Sequence, residues 1–170
     1  PLPFDRLLEQ AMKMETVFHG RPSGLDHTVS ALGKAIWFQK NNNAPSWRPL
    51  EFPSLDILIV DSGTIGSTAA MVAKVAQTAH TIQTQSLLFK MEDLSMHMLN
   101  AIQTNDPQAI GRLCTQNHQY LQELGVSTPI LNTIVNTAIE KGAWGAKLSG
   151  SGGGGIVMIL GNNLPALRAY

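Results

Sequence analysis

A glycine-rich run constrains the fold of this chain more than any other segment. Five of the six residues at 150–155 are glycines, and five consecutive apolar residues follow at 156–160. The run contains the G-x-G-x-x-G spacing of a dinucleotide-binding site, but such a site needs a helix after its last glycine. Here a short, β-branched strand is predicted instead. No Lys-Ser or Lys-Thr pair follows the last glycine, so the run does not match a Walker phosphate loop either.

The number of glycines in the run favours a functional loop. A two-residue hairpin turn needs only one or two glycines, whereas a longer glycine run indicates close approach of the backbone to something. Successive bare N–H groups can also form an anion-binding nest. A plain tight hairpin is the alternative, and an artificial Gly/Ser linker is disfavoured because strand signals lie on both sides.

A second candidate site combines Glu15 with the segment HGRPSGLD at 19–26. Asp26 comes directly after a loop whose proline and glycines would fix its direction, and Glu15 lies on the helix that enters the loop. Near a phosphorylated group, a carboxylate can receive a hydroxyl proton or bind Mg²⁺. Spacing alone favours the plainer interpretation, in which Asp26 caps a helix and Glu15 is a solvated charge.

The rest of the pattern predicts an α+β fold in which helices cover a mainly antiparallel sheet. Neither an internal repeat nor a domain boundary is visible, so one domain is predicted over residues 1–170. A polar, proline-punctuated surface connection is predicted at 41–49. Helices are predicted at 4–18, 67–78, 84–104, 107–124 and 129–141, with a new start at Leu25, and strands at 35–39, 55–61, 143–149 and 156–160.

Composition narrows the functional classes. The 12 basic and 12 acidic residues give no net charge, and no basic stripe is present, so electrostatic binding to nucleic acid or acidic lipid has no obvious basis. No apolar run approaches the ~20 residues of a membrane span. The single cysteine, Cys114, suits a reducing, cytoplasmic compartment and lies on an apolar stripe, which predicts burial. The histidines lack metal-ligand spacing, which argues against zinc.

Several segments together closely resemble the mevalonate kinases, members of the superfamily of galactokinase, homoserine kinase and phosphomevalonate kinase. The segment FHGRPSGLD resembles that family's second motif, and KLSGSGGGG its third motif. Between them, DSGTIGST and ELGVSTPILNTIV are similar to further family segments. The resemblance runs from about residue 9 to residue 160. It implies the ferredoxin-like C-terminal domain of these small-molecule kinases.

The resemblance implies phosphoryl transfer from ATP to the 5-hydroxyl of mevalonate, giving 5-phosphomevalonate for isoprenoid synthesis. Asp26 would then accept or steer the hydroxyl proton, and Glu15 would bind Mg²⁺. Mevalonate would contact the second motif and the central turn through His19, Ser23, Gly24 and Thr64. The phosphate side of the cleft would be lined by Ser149, Gly150, Gly152, Gly153 and Gly154.

The family's first motif, its catalytic lysine and a serine ligand of Mg²⁺ are not found in this sequence. We therefore expect a C-terminal half whose residues 1–30 face an N-terminal, ATP-binding half, and no kinase activity from the 170 residues alone. An apolar face left open by that half predicts self-association, for example as a homodimer. Phosphomevalonate, homoserine or galactose kinase activity is the nearest alternative, and a non-catalytic ligand-binding module is the more distant one.

Overall fold

The computed structural model describes residues 3–19, 23–40, 45–162 and 164, with the backbone alone at 4, 5, 18 and 19. The chain divides into two compact units, Pro1–Phe52 and Pro53–Tyr170, and each is described by itself. The compactness of the two units does not show whether either of them folds alone. The single domain predicted over residues 1–170 therefore stays a prediction.

The first unit contains two helices followed by a hairpin. The first helix matches the helix predicted at 4–18, and the second begins at Leu25 as predicted. The prediction of a surface connection at 41–49 was wrong for residues 45–49, which form a strand. That strand is exposed throughout, so it shows no apolar alternation, and prolines are tolerated on such edge strands. The elements are α1 (Phe4–His19), α2 (Leu25–Leu32), β1 (Ile36–Lys40) and β2 (Pro45–Pro49), with β1 and β2 antiparallel.

The described part of the second unit, which excludes residues 163 and 165–170, contains three strands and four helices, each close to a predicted element. Local signals explain the helix starts, because the side chains of Ser67, Thr81, Asp106 and Thr128 each accept a hydrogen bond from a first-turn N–H. The elements are β3 (Ile57–Asp61), α3 (Thr68–Thr78), α4 (Ile82–Gln103), α5 (Pro107–Glu123), α6 (Pro129–Glu140), β4 (Gly145–Ser149) and β5 (Ile156–Leu160).

The three strands form an antiparallel sheet in the order β3-β5-β4. Helix α6 packs on one face through Leu131 and Val135, which meet Leu148 and Val157 in the main core. All four side chains are at most 2% exposed. The predicted α+β class, with helices covering an antiparallel sheet, is confirmed.

Helix α5 lies along the free edge of β4. Thr115 Oγ1 accepts a hydrogen bond from the N–H of Ala146 at 3.0 Å, and His118 Nδ1 accepts one from the N–H of Leu148 at 3.2 Å. A side chain at Gly111 would collide with the backbone of Trp144, at 2.6 Å, so the glycine permits this approach. The helix therefore satisfies the outward N–H groups of an edge strand that would otherwise be open to pairing.

The methionine-rich stripe of α4 is part of the hydrophobic packing. Leu87, Leu94 and Ile102 are buried, and α4 packs against α5. This face of α4 therefore contributes to the hydrophobic core. Among the described residues, no helix is long and apolar enough to cross a membrane.

Candidate functional site

Glu15 is paired with a histidine in the first unit. Its Oε2 lies 2.5 Å from Nδ1 of His27, the third residue of α2, and the two side chains are only 10% and 9% exposed. The pair joins α1 to α2. The interpretation of Glu15 as a solvated charge is therefore wrong.

Asp26 is exposed in the first turn of α2. The helix cap is Gly24, which is buried and has a left-handed backbone with φ of 95°. A Cβ there would lie 3.5 Å from Phe38 and 3.8 Å from Met12, so the glycine is needed for its backbone conformation. Ser23 Oγ accepts a hydrogen bond from the N–H of Leu25 at 3.2 Å. Because Gly24 holds the cap position, the interpretation of Asp26 as the cap is wrong. Asp26 instead lies exposed in the first turn after this cap.

Two further predictions fall in this unit: His19 as a substrate contact and Glu15 as a Mg²⁺ ligand. His19 is the last residue of α1, and its side chain lies outside the described residues. Within the described part of the chain, no cluster of three or more histidine, cysteine or acidic side chains is arranged to hold a metal. Glu15 therefore fits Mg²⁺ only as one ligand, in the manner of sites that use one or two carboxylates together with substrate phosphates and water.

The glycine run forms the connection between β4 and β5, as predicted. Five of its residues have positive φ: Gly150 (86°), Gly152 (86°), Gly153 (73°), Gly154 (148°) and Gly155 (84°). Residues with a Cβ rarely adopt such angles. The loop conformation therefore requires glycine at nearly every position. Ser149 precedes it as the last residue of β4, in register with Ile156.

The loop is seated between two other backbone segments of the second unit. The N–H of Gly155 donates to the carbonyl of Thr64, and the N–H of Gly153 donates to the carbonyl of Val126, both at 2.8 Å. A Cβ at Gly154 would lie 2.5 Å from the Thr64 oxygen and 2.9 Å from the nitrogen of Gly66. Much of the glycine requirement thus comes from close packing against the chain itself.

Thr64 is the one predicted substrate residue of the second unit that the structure brings to the glycine loop. Its side chain is exposed and its Oγ1 lies 2.9 Å from Ser62 Oγ. Nearby, the hydroxyl of Ser151 in the loop donates to Thr68 Oγ1 at 3.0 Å. Hydroxyl groups therefore line the junction between the loop and the start of α3.

The loop retains donors for a ligand. Among the described residues, the N–H groups of Ser151, Gly152 and Gly154 have no hydrogen-bond acceptor. Bare N–H groups on consecutive residues of a glycine loop suit an anion. The anion-binding nest stays a prediction, and Gly153 and Gly155 cannot contribute to it because their N–H groups donate to the protein.

An apolar groove of about 430 Å³ adjoins the loop at Gly150 and Ser151. It lies between α3 and the end of α5, and its wall includes Met71, Val75 and Leu121. Lys74 connects α3 to the turn that follows α5 by donating to the Gly125 carbonyl at 2.5 Å. The groove wall is almost entirely apolar, so it does not suit a phosphate.

Sequence reasoning missed two histidines, and no local signal identifies either. His27 pairs with a residue 12 positions away, and His118 bonds residues 14 and 30 positions away. Burial lowers the pKa of His118, and the positive charge of Lys147 lowers it further, against the hydrogen bond to Asn132.

The predicted burial of Cys114 is confirmed, since the side chain is 5% exposed. Burial raises the pKa of its thiol, which keeps it protonated and poorly nucleophilic. Burial also lowers the pKa of the neighbouring Lys147.

Comparisons with known proteins agree with the motifs. The family described as GHMP kinases C terminal matches residues 98–169. The mevalonate kinase of Gibberella zeae is 36% identical over 97% of this chain and 35% of its own length. That of Aeropyrum pernix is 30% identical over 93% of this chain and 49% of its own length. The crystal structure of L. major mevalonate kinase in complex with R-mevalonate has a TM-score of 0.90 and 31% identity, and covers 99% of this chain and 52% of its own.

The chain spans between a third and a half of the length of these relatives. Phosphomevalonate kinase and galactokinase structures also match, at 16% and 20% identity, which is evidence for the shared fold alone. With the second and third motifs, the glycine loop and the sheet order on the same chain, residues 98–169 belong to the GHMP kinase C-terminal domain, and the relatives that match nearly the whole chain are mevalonate kinases.

Proposed function

We propose that this chain supplies part of the active site of a kinase that transfers the γ-phosphoryl group of ATP to the 5-hydroxyl of mevalonate. The observation that carries the proposal is the agreement with mevalonate kinases over nearly the whole chain, in sequence and in structure. Since those relatives are longer, the activity is proposed for the full-length protein. A cytoplasmic location, a homodimer and an inactive isolated chain stay predictions.

Asp26 is proposed as the group that accepts or steers the proton of the attacking hydroxyl. Its exposed position at the start of α2 supports this, because a general base must reach the substrate. The left-handed cap at Gly24 fixes where α2 begins. A helix start displaced by one residue would turn the carboxylate to another face of the helix, so the cap determines the direction of the proposed base.

Glu15 is proposed as one oxygen ligand of Mg²⁺. The ion would neutralise charge on the ATP phosphates when bound. The contact with His27 supports a fixed orientation of the Glu15 carboxylate, as partners of metal-ligating carboxylates usually provide. His19, Ser23, Gly24 and Thr64 are each proposed as contacts of mevalonate.

The glycine loop is proposed to stabilise the phosphoryl group through the N–H groups of Ser151, Gly152 and Gly154. Phosphoryl transfer needs positioning and charge stabilisation more than covalent chemistry from the protein. Backbone donors that are held in place before the reaction suit this task, because no reorganisation is needed as charge develops.

The test is acceptor-dependent ATP turnover by the full-length protein. Mevalonate, phosphomevalonate, homoserine and galactose are compared as acceptors at equal concentration. We expect mevalonate to give kcat/KM at least about a hundredfold above the others, since an active site rejects acceptors that leave its polar groups unpaired. A higher value for another acceptor would assign the protein to that branch, and no turnover with any of the four would favour a non-catalytic module.

A further inference from the structure

The turn between α5 and α6 holds one side of the glycine loop. Its residue Val126 is 4% exposed, and its carbonyl accepts the hydrogen bond from Gly153. A Cβ at Gly152 would lie 3.0 Å from the carbonyl carbon of Val126. The position of the loop therefore depends on the position of this turn.

A partly buried polar network fixes the turn. The hydroxyl of Ser127, the residue after Val126, donates to Asn132 Oδ1 at 2.6 Å. The same oxygen lies 3.1 Å from Nε2 of His118. Because an amide oxygen only accepts, Nε2 carries the proton and donates.

His118 also holds the strand that leads into the loop. Its Nδ1 accepts a hydrogen bond from the N–H of Leu148, two residues before Gly150. His118 is 2% exposed, and both ring nitrogens are used. The His118 ring thus connects β4, which leads into the glycine loop, with the turn at Val126, which binds the loop at Gly153.

We propose that His118, Asn132 and Ser127 are positioning residues that set the geometry of the glycine loop. They act through two connections, the Leu148 N–H on β4 and the Val126 carbonyl on the turn. None of the three touches the loop N–H groups proposed to face phosphate. Their effect on phosphoryl transfer rests on the proposed function, whereas their effect on the loop itself does not.

Amide hydrogen exchange in the full-length protein tests the positioning directly, with ¹⁵N-glycine labelling to resolve single residues. In Ser127→Ala we expect the Gly153 amide to exchange about fivefold faster, the ratio that the loss of one ordinary hydrogen bond produces. The Gly155 amide, which donates to Thr64 instead of Val126, should keep its rate. Equal acceleration at both glycines, or no change at Gly153, would overturn the proposal.

Thr115→Val is the matched control. It removes the other side-chain acceptor that α5 provides to the β4 edge, at Ala146, and leaves the turn at Val126 untouched. We expect a similar loss of global stability with no selective change at Gly153. A selective change at Gly153 in this variant would mean that any weakening of the β4 edge disturbs the loop, and would overturn the special role of the network.

Two substitutions of His118 separate its connections. The side-chain oxygen of His118→Asn can take the place of Nδ1 and keep the bond to Leu148, while the nitrogen of His118→Gln can take the place of Nε2 and keep the bond to Asn132. With ¹⁵N-leucine labelling added to observe the Leu148 amide, we expect faster exchange at Gly153 in the first variant and at Leu148 in the second. Reversal of this pattern would contradict the two-connection arrangement.

Steady-state kinetics of the same variants separate the two proposals. If the loop positions phosphate, Ser127→Ala lowers kcat for mevalonate-dependent ATP turnover about fivefold, in proportion to the exchange effect, while Thr115→Val does not. A faster Gly153 exchange with unchanged kcat would uphold the positioning of the loop and overturn its proposed catalytic role.

Discussion

In the first unit the proposed proton acceptor and the proposed metal ligand are side chains, whereas in the second unit the proposed phosphate donors are backbone N–H groups. Asp26 is exposed, and the Glu15 carboxylate on α1 pairs with His27 on α2. The glycine loop, by contrast, is fitted between the carbonyls of Thr64 and Val126. A side chain can be changed without moving the chain that carries it, but a packed backbone cannot. Function and stability should therefore separate in the first unit and change together in the second.

The largest effect is expected for Gly154→Ala. The added Cβ would lie 2.5 Å from the Thr64 oxygen on a backbone with φ of 148°, so we expect a loss of about 3 kcal/mol or more in the free energy of unfolding. Urea denaturation of the full-length protein measures this loss. Gly150→Ala is the control, because its φ is 86° but its Cβ would meet nothing within 4 Å. It should cost only about 1 to 2 kcal/mol, and equal losses would show that packing is not the reason for Gly154.

Asp26→Asn should affect activity alone. We expect turnover by the full-length protein to fall about a hundredfold or more, roughly 2.7 kcal/mol in activation free energy, because the proposed proton acceptor is lost. The free energy of unfolding should change by less than about 0.5 kcal/mol, as for an exposed residue with no structural bond. If Asp26→Asn kept more than half of the original turnover, Asp26 would not be the proton acceptor. A large loss in its free energy of unfolding would contradict the contrast between the two units.

Glu15→Gln is expected to have a smaller effect on the metal requirement. Replacing an anionic oxygen by a neutral amide should raise the Mg²⁺ concentration for half-maximal turnover about tenfold. Mn²⁺ binding followed by electron paramagnetic resonance provides a readout that does not depend on turnover. His27→Gln tests the partner in the same assays. An unchanged Mg²⁺ dependence in Glu15→Gln would restrict Glu15 to joining α1 and α2.

The smallest effect concerns pH and the second unit. Burial lowers the folded-state pKa of His118 from its ordinary value of 6.5, so the unfolded chain takes up a proton first as the pH falls. The stability that the neutral ring contributes is present above pH 6.5 and is lost below it, by at most about 1.4 kcal/mol per pH unit. Denaturation between pH 7 and 5 should show a shallower decline in His118→Gln than in the unchanged protein. Parallel declines would mean that His118 does not set this slope.

Much of the fold was predictable because its signals are local. The caps Ser67, Asp106 and Thr128 bond N–H groups three residues away, so a short stretch of sequence contains the whole interaction. Strand β5 was predicted with the bounds it has, since five consecutive apolar residues follow the last glycine. Strand β2 was missed because it is exposed and exists through pairing with β1, a contact that leaves no periodicity in its own residues.

The positions that need glycine, the helix starts and the segments that resemble the family motifs can all be identified from the amino-acid sequence. The contacts of those residues are visible only in the folded chain. In the fold, Glu15 pairs with His27, and His118 forms hydrogen bonds with both Leu148 and Asn132. The N–H groups of Gly153 and Gly155 donate to backbone carbonyls of the same chain. The physical reason is that these partners are distant in the chain, and hydrogen bonds and burial between distant residues exist only after packing brings them together.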